Sequence, residues 1–259
     1  MSRAEDDTPA ETTHGRNAAS ALRALDSDAT RTVNLTRRAN ASSLETPSLV
    51  SLARAIARAE CVVTVNLSGQ RLDVAACHAL ARAAADGASF RVLDCGDCGV
   101  GDAGAAELAE VLILNARLER LYAPANEIGR DGADAVAAGA EARLGPRLKT
   151  LDISDNEELG DAGAIALARV CRPEVAPSEL RLAACGIGDA GARAGGCVFS
   201  VPERHSARRK EARPRSQPAR LRGGSARGGH RRSRSRGEGV RVLLTGTHTC
   251  IRDTYCVFL

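Results

Sequence analysis

The chain has 259 residues, 44% of them hydrophobic, with three Phe, two Tyr and no Trp. Its apolar mass is therefore Ala, Leu and Val, which suits close helix–strand packing better than one large globule. The net charge of +4 averages two unlike parts: Met1–Gly196 holds 21 basic and 28 acidic residues, whereas Cys197–Leu259 holds 15 and 4, as in an acidic folded body with a basic tail.

Residues 1–30 form a polar segment whose opening, MSRAEDDTPAETTHGRN, lacks the apolar stretch of a secretory signal. No apolar run later in the chain approaches the ~18 residues of a membrane span. Nine scattered cysteines, an odd number, argue against a disulfide framework. A reducing, cytoplasmic setting is expected, with the nucleus as the alternative. The N-x-S/T triplets at Asn34, Asn40 and Asn66 are then expected to stay unmodified. Arg16–Asp28 carries Ala18, Ala19, Leu22 and Leu25 at helical spacing, a candidate N-terminal helical cap.

Between residues 31 and 196 one unit recurs about five to six times. After a weaker copy at Val33-Asn-Leu35 come Val65-Asn-Leu67, Leu93-Asp-Cys95, Leu121-Tyr-Ala123, Leu151-Asp-Ile153 and Leu180-Arg-Leu182, spaced by 28, 28, 30 and 29 positions. Each predicts a short strand. A polar or sulfur residue follows, then an apolar one, as in Gln70 and Leu72, Cys98 and Val100, Asn126 and Ile128, Asn156 and Leu159, Cys185 and Ile187. Gly101-Asp-Ala-Gly104, Gly160-Asp-Ala-Gly163 and Gly188-Asp-Ala-Gly191, with the variant Gly129-Arg-Asp-Gly132, then predict a turn. Their aspartates are expected to cap the helices they open. Helical spacing takes over in Ala105, Leu108, Ala109 and Leu112, and again in Ala164, Leu167, Ala168 and Cys171.

These residues give the chain its family resemblance. It resembles leucine-rich repeats of the ribonuclease-inhibitor-like class over roughly 160 residues. The resemblance implies an α/β solenoid: a curved parallel sheet on the concave face, helices on the convex face. One strand–helix unit cannot bury its apolar side alone, so neighbours must stack, and roughly three or more are needed. Strand alternation sends one set of side chains inward and the other to the concave surface. The last unit runs Gly188-Asp-Ala-Gly191-Ala-Arg-Ala-Gly-Gly196 and then leaves the pattern without a polar cap.

Several motifs carry a chemical reading and a structural one. Cys95-Gly-Asp-Cys98 has C-x-x-C spacing, yet no second pair or His pair completes a zinc site. In repeat register both cysteines are packing residues, so no metal and no cofactor are expected. Asn126 and Asn156 sit where an amide can satisfy turn backbone. His78 is read as a surface or packing residue. No G-x-x-x-x-G-K-[ST] loop occurs, so the G-D-A-G motifs are turns and not phosphate loops.

The tail, residues 197–259, is rich in Arg, Gly, Ser and Pro and is expected to be disordered. Its arginines could bind nucleic acid, although no aromatics interleave them for stacking. The repeat stops mid-unit, so translated intron or a shifted frame is the competing origin. The final Cys256-Val-Phe-Leu259 fits C-a-a-X and makes Cys256 a lipidation candidate.

Taken together, the residues point to a monomeric, non-catalytic scaffold that binds a protein partner across its concave sheet. The anchors expected there are Arg120, Tyr122 and Arg181, because aromatic and Arg side chains carry much interface energy. Asp94, Asp152 and Glu179 are expected to set charge complementarity. Two alternatives stand beside this: an RNA binder acting through its tail, and a GTPase activator similar to Ran GTPase-activating proteins, with Arg130 supplied in trans.

Overall fold

The computed structural model describes residues 12–14, 18–25, 30–37, 42–88, 90–172, 174–194 and 241–243. Strands and helices alternate along it: β1 (Thr12–His14), α1 (Ala18–Leu25), β2 (Thr32–Asn34), α2 (Thr46–Arg58), β3 (Thr64–Asn66), α3 (Val74–Ala85), β4 (Val92–Asp94), α4 (Gly101–Leu114), β5 (Arg120–Tyr122), α5 (Arg130–Ala142), β6 (Thr150–Asp152), α6 (Gly160–Leu167), β7 (Glu179–Arg181), α7 (Asp189–Ala194) and β8 (Arg241–Leu243). Short 3-10 turns, Glu157–Leu159 and Ala168–Cys171, flank α6. The strands form one parallel sheet in sequential order, β1 to β8. This is the leucine-rich-repeat solenoid.

The register follows the aliphatic period. Val33, Val65, Leu93, Leu121, Leu151 and Leu180 lie side by side on adjacent strands, each no more than 1% exposed. A second buried row runs beside them through Leu35, Leu67, Cys95, Ala123, Ile153 and Leu182. Burying each large aliphatic side chain is worth about 1.5–3 kcal/mol, so the stacked rows hold neighbouring units together. Small residues let the helices close in behind. Between α4 and α5, a Cβ on Gly139 would stand 2.7 Å from the Ala109 carbonyl oxygen.

A buried polar row crosses the turns. Asn126 is fully buried. Its Oδ1 accepts from the amides of Cys98 (3.0 Å) and Val100 (3.2 Å), and its Nδ2 donates to the carbonyls of Cys95 (2.8 Å) and Pro124 (3.0 Å). Asn156 repeats this one unit later, accepting from Asn126 N at 2.8 Å and Ile128 N at 3.0 Å. Gln70 reaches back to the carbonyl of Leu35 and accepts from Leu44 N. Cys98 and Cys185 fill the same position with thiols, which donate to Leu67 O and Ile153 O respectively. The turn-satisfying reading of the asparagines holds, and the C-x-x-C pair divides between core and turn.

The aspartates of the G-D-A-G turns do not cap their own helices. Asp102 lies inside the first turn of α4, and its Oδ1 accepts from Gly129 N (2.7 Å) and Gly132 N (2.9 Å), the start of α5 in the next repeat. Asp161 accepts from Gly188 N at 2.6 Å in the same manner. The stagger of the stack brings each carboxylate over its neighbour's helix start, where charge and free amides favour it. Val74 and Arg130 stand one unit ahead of Gly101 and Gly160, in the place Asp102 and Asp161 take in their own turns. There the glycines turn to φ +61° and +55° and donate forward to Asn126 O and Cys185 O. Two kinds of joint therefore alternate along the solenoid.

Of the tail, residues 241–243 are described, and they pair with β7 as β8. The basic clusters at 208–210 and 231–236, and the lipidation candidate Cys256, lie outside the described residues. No described helix is long and apolar enough to cross a membrane.

Candidate functional site: the concave sheet

The face opposite the core carries the alternate strand positions. The register aligns Thr32, Thr64, Val92, Arg120, Thr150 and Glu179 in one row, and Asn34, Asn66, Asp94, Tyr122, Asp152 and Arg181 in the next. All six residues singled out from the sequence thus share one face. Pro124 follows Arg120 and Tyr122 along the chain, and its ring stands against Gly96, where an added Cβ would meet Pro124 Cγ at 3.1 Å.

Four members of the second row have a structural task that sequence reading did not assign. The Oδ1 atoms of Asn34, Asn66, Asp94 and Asp152 accept from the amides two residues on, Thr36, Ser68, Gly96 and Ser154, at 2.9–3.1 Å. Each side chain closes the turn that ends its strand. Asn66 also bonds sideways, accepting at Oδ1 from Thr36 Oγ1 (3.0 Å) and donating through Nδ2 to Asp94 Oδ2 (3.2 Å). Asp94 therefore has both carboxylate oxygens engaged.

At the C-terminal end Arg181 closes the row. Its Nε donates to Glu179 Oε1 at 3.0 Å and its Nη1 to Asp152 Oδ2 at 3.5 Å. The hydrogen bond that Arg181 donates to Glu179, reinforced by the charges of Glu179 and Asp152, pushes the Arg181 pKa up despite partial burial. Asp152 is only 8% exposed, beside Thr150 at 5% and Ser154 at 8%. Asp152 lies in the concave row but offers little open surface. Turn closure and the overlying guanidinium take it into the protein.

Arg120 and Tyr122 differ. Arg120 is exposed, its guanidinium without a hydrogen-bond or ion-pair partner among the described residues, and Tyr122 is half-buried with its ring on the face. Arg130 is also exposed, at the head of α5, on the rim and not on the sheet.

Other charged groups went unnoticed in the sequence. Arg143 spans the end of α4, donating to the carbonyls of Leu112, Ala116, Leu118 and Pro146, where free helix carbonyls favour a cation. Burial lowers its pKa. Glu119 pairs with Arg91 (3.0 Å) and Lys149 (2.6 Å) at the strand starts, contacts that hold its pKa down, Lys149 contributing most. The convex face carries His78, exposed, with Nδ1 2.9 Å from Glu107.

The buried thiols are poor nucleophiles. Desolvation pushes Cys77 and Cys98 up to about 12 and Cys185 to about 11, and Cys95 also rises well above an ordinary thiol for the same reason. Among the described residues no group of His, Cys, Asp and Glu is arranged to hold a metal ion. A shallow hollow of about 440 Å³ on the turn rim mixes Arg37 and Arg71 with Asp97 and Glu127.

A Leucine Rich repeat family model matches residues 147–168, which hold β6, its turn and α6. The match supports a leucine-rich repeat protein. No curated protein matches the chain.

Proposed function

We propose that the chain is a non-catalytic scaffold of the ribonuclease-inhibitor-like class that binds a protein partner across the concave sheet. Units of 28 to 30 residues, each with a strand and a helix, support the class. The observation that carries the binding reading is the contrast between β5 and the polar side chains of the strands beside it. Its neighbours are engaged in turn closure and ion pairs, while β5 offers an exposed guanidinium and an aromatic ring at the middle of the face. Such side chains contribute most where they can be fully desolvated by a partner.

The test is capture of binding proteins by the full chain and by a triple variant, Arg120→Ala, Tyr122→Ala and Arg181→Ala, with thermal unfolding as the fold control. A specific partner should bind the variant at least roughly tenfold more weakly, since two anchors of about 1 kcal/mol or more exceed one decade. Undiminished capture by a folded variant excludes this face. The GTPase-activating reading has one supporting observation, the exposure of Arg130 at the head of α5. Stimulated GTP hydrolysis that Arg130→Ala abolishes would move the assignment there.

A further inference from the structure

We infer that the concave face reads an acidic side chain in an extended segment of its partner, with Arg120 as the reading residue. The inference rests on the concave-face proposal and specifies its chemistry. Asp94 receives Gly96 N and Asn66 Nδ2, and Asp152 receives Ser154 N and Arg181. Glu179 receives Arg181 Nε. Asp152 and Glu179 thus share one cation, Arg181, and both oxygens of Asp94 are taken by neutral donors.

Arg120 alone among the charged residues of the two rows has a side chain without a partner among the described residues. The residues beside it in register, Val92 and Thr150, are short and carry no charge, and Arg120 itself is exposed. A free guanidinium on a surface whose own acids are engaged is complementary to a carboxylate or a phosphate, either of which it can grip with two parallel hydrogen bonds. Tyr122 and Pro124 follow along the chain and Val92 lies on the next strand, giving an apolar strip alongside for a neighbouring side chain of the same segment.

The experiment uses immobilised pools of short peptides with one fixed central residue, Glu, Gln, Lys or phosphoserine, in randomised flanks. They are probed with the full chain and with its Arg120→Ala and Tyr122→Ala variants. The wild-type chain should retain the Glu pool about threefold to fivefold above the Gln pool, the range of an exposed ion pair, and the Lys pool least. Arg120→Ala should level Glu with Gln. Retention of phosphoserine above Glu assigns the anion as phosphate, and the reverse assigns it as carboxylate.

A preference for Glu that persists in Arg120→Ala overturns the assignment to Arg120. Equal retention of Glu and Gln by the wild type, with both lowered by Tyr122→Ala, overturns acid recognition and leaves the concave interface standing. Retention of no pool, or retention unchanged in both variants, overturns the inference and its premise together.

Discussion

Replacing Asn126 by Ala removes a carboxamide that serves four backbone groups at 2.8–3.2 Å. The amides of Cys98 and Val100 lose their acceptor, and both residues are no more than 4% exposed, so water cannot readily substitute. An orphaned buried donor costs about 1–3 kcal/mol. The carbonyl of Pro124 keeps the Asp97 amide as a donor, so its loss is smaller. The two amides and a side-chain-sized void together give an expected loss of about 3–5 kcal/mol. That is a large part of a typical domain's ~5–15 kcal/mol, and should lower Tm by roughly 10 °C.

Urea unfolding followed by far-UV circular dichroism would show the loss as a fall in midpoint at constant slope. Asn126→Cys is the informative companion, because Cys98 and Cys185 hold the same position with thiols bonded to Leu67 O and Ile153 O. It should recover about half of the loss, since a thiol makes weaker and fewer bonds than an amide. A loss below about 1 kcal/mol for Asn126→Ala, or no advantage of Cys over Ala, would refute the role of the row in joining repeats.

Three further outcomes follow from the joints and the buried thiols. Asp102→Ala should cost about 1–2 kcal/mol by uncapping α5, whereas Asp189→Ala, with its side chain 83% exposed, should cost little; equal effects in thermal scans would contradict capping between repeats. Ala125 and Ala184 adopt φ +54° and +52°, so Ala125→Gly and Ala184→Gly should each raise stability by up to about 1 kcal/mol, and destabilisation by either would count against left-handed strain there. Thiols that ionise near 9 in the unfolded chain and about 12 in the folded one keep the folded state favoured below pH 9. That contribution should fade as pH rises from 9 towards 12, so the midpoint should drop over that window, less steeply in Cys98→Ala.

The stacking of repeats was legible because it rests on one aliphatic residue recurring in each unit. Val65, Leu93, Leu121, Leu151 and Leu180 needed only a period to be assigned to adjacent strands. Asn126 and Asn156 could be given turn roles for the same reason. The concave placement of Arg120 and Tyr122 followed from strand alternation alone. Arg143 gave no signal, since its four carbonyl partners lie 3 to 31 residues away around a chain segment with no repeat pattern.

What the sequence by itself determined is the period, hence the order of strands, the inward row and the outward row. The tertiary structure alone decided how consecutive units are offset, and that offset sets every bond between them. Asp102 meets the start of α5 and not that of its own helix because the stack is staggered. Asp152 is covered because Arg181 folds back over it. Side chains about 30 residues apart reach one another only through backbone geometry accumulated over a whole unit, which no local pattern encodes.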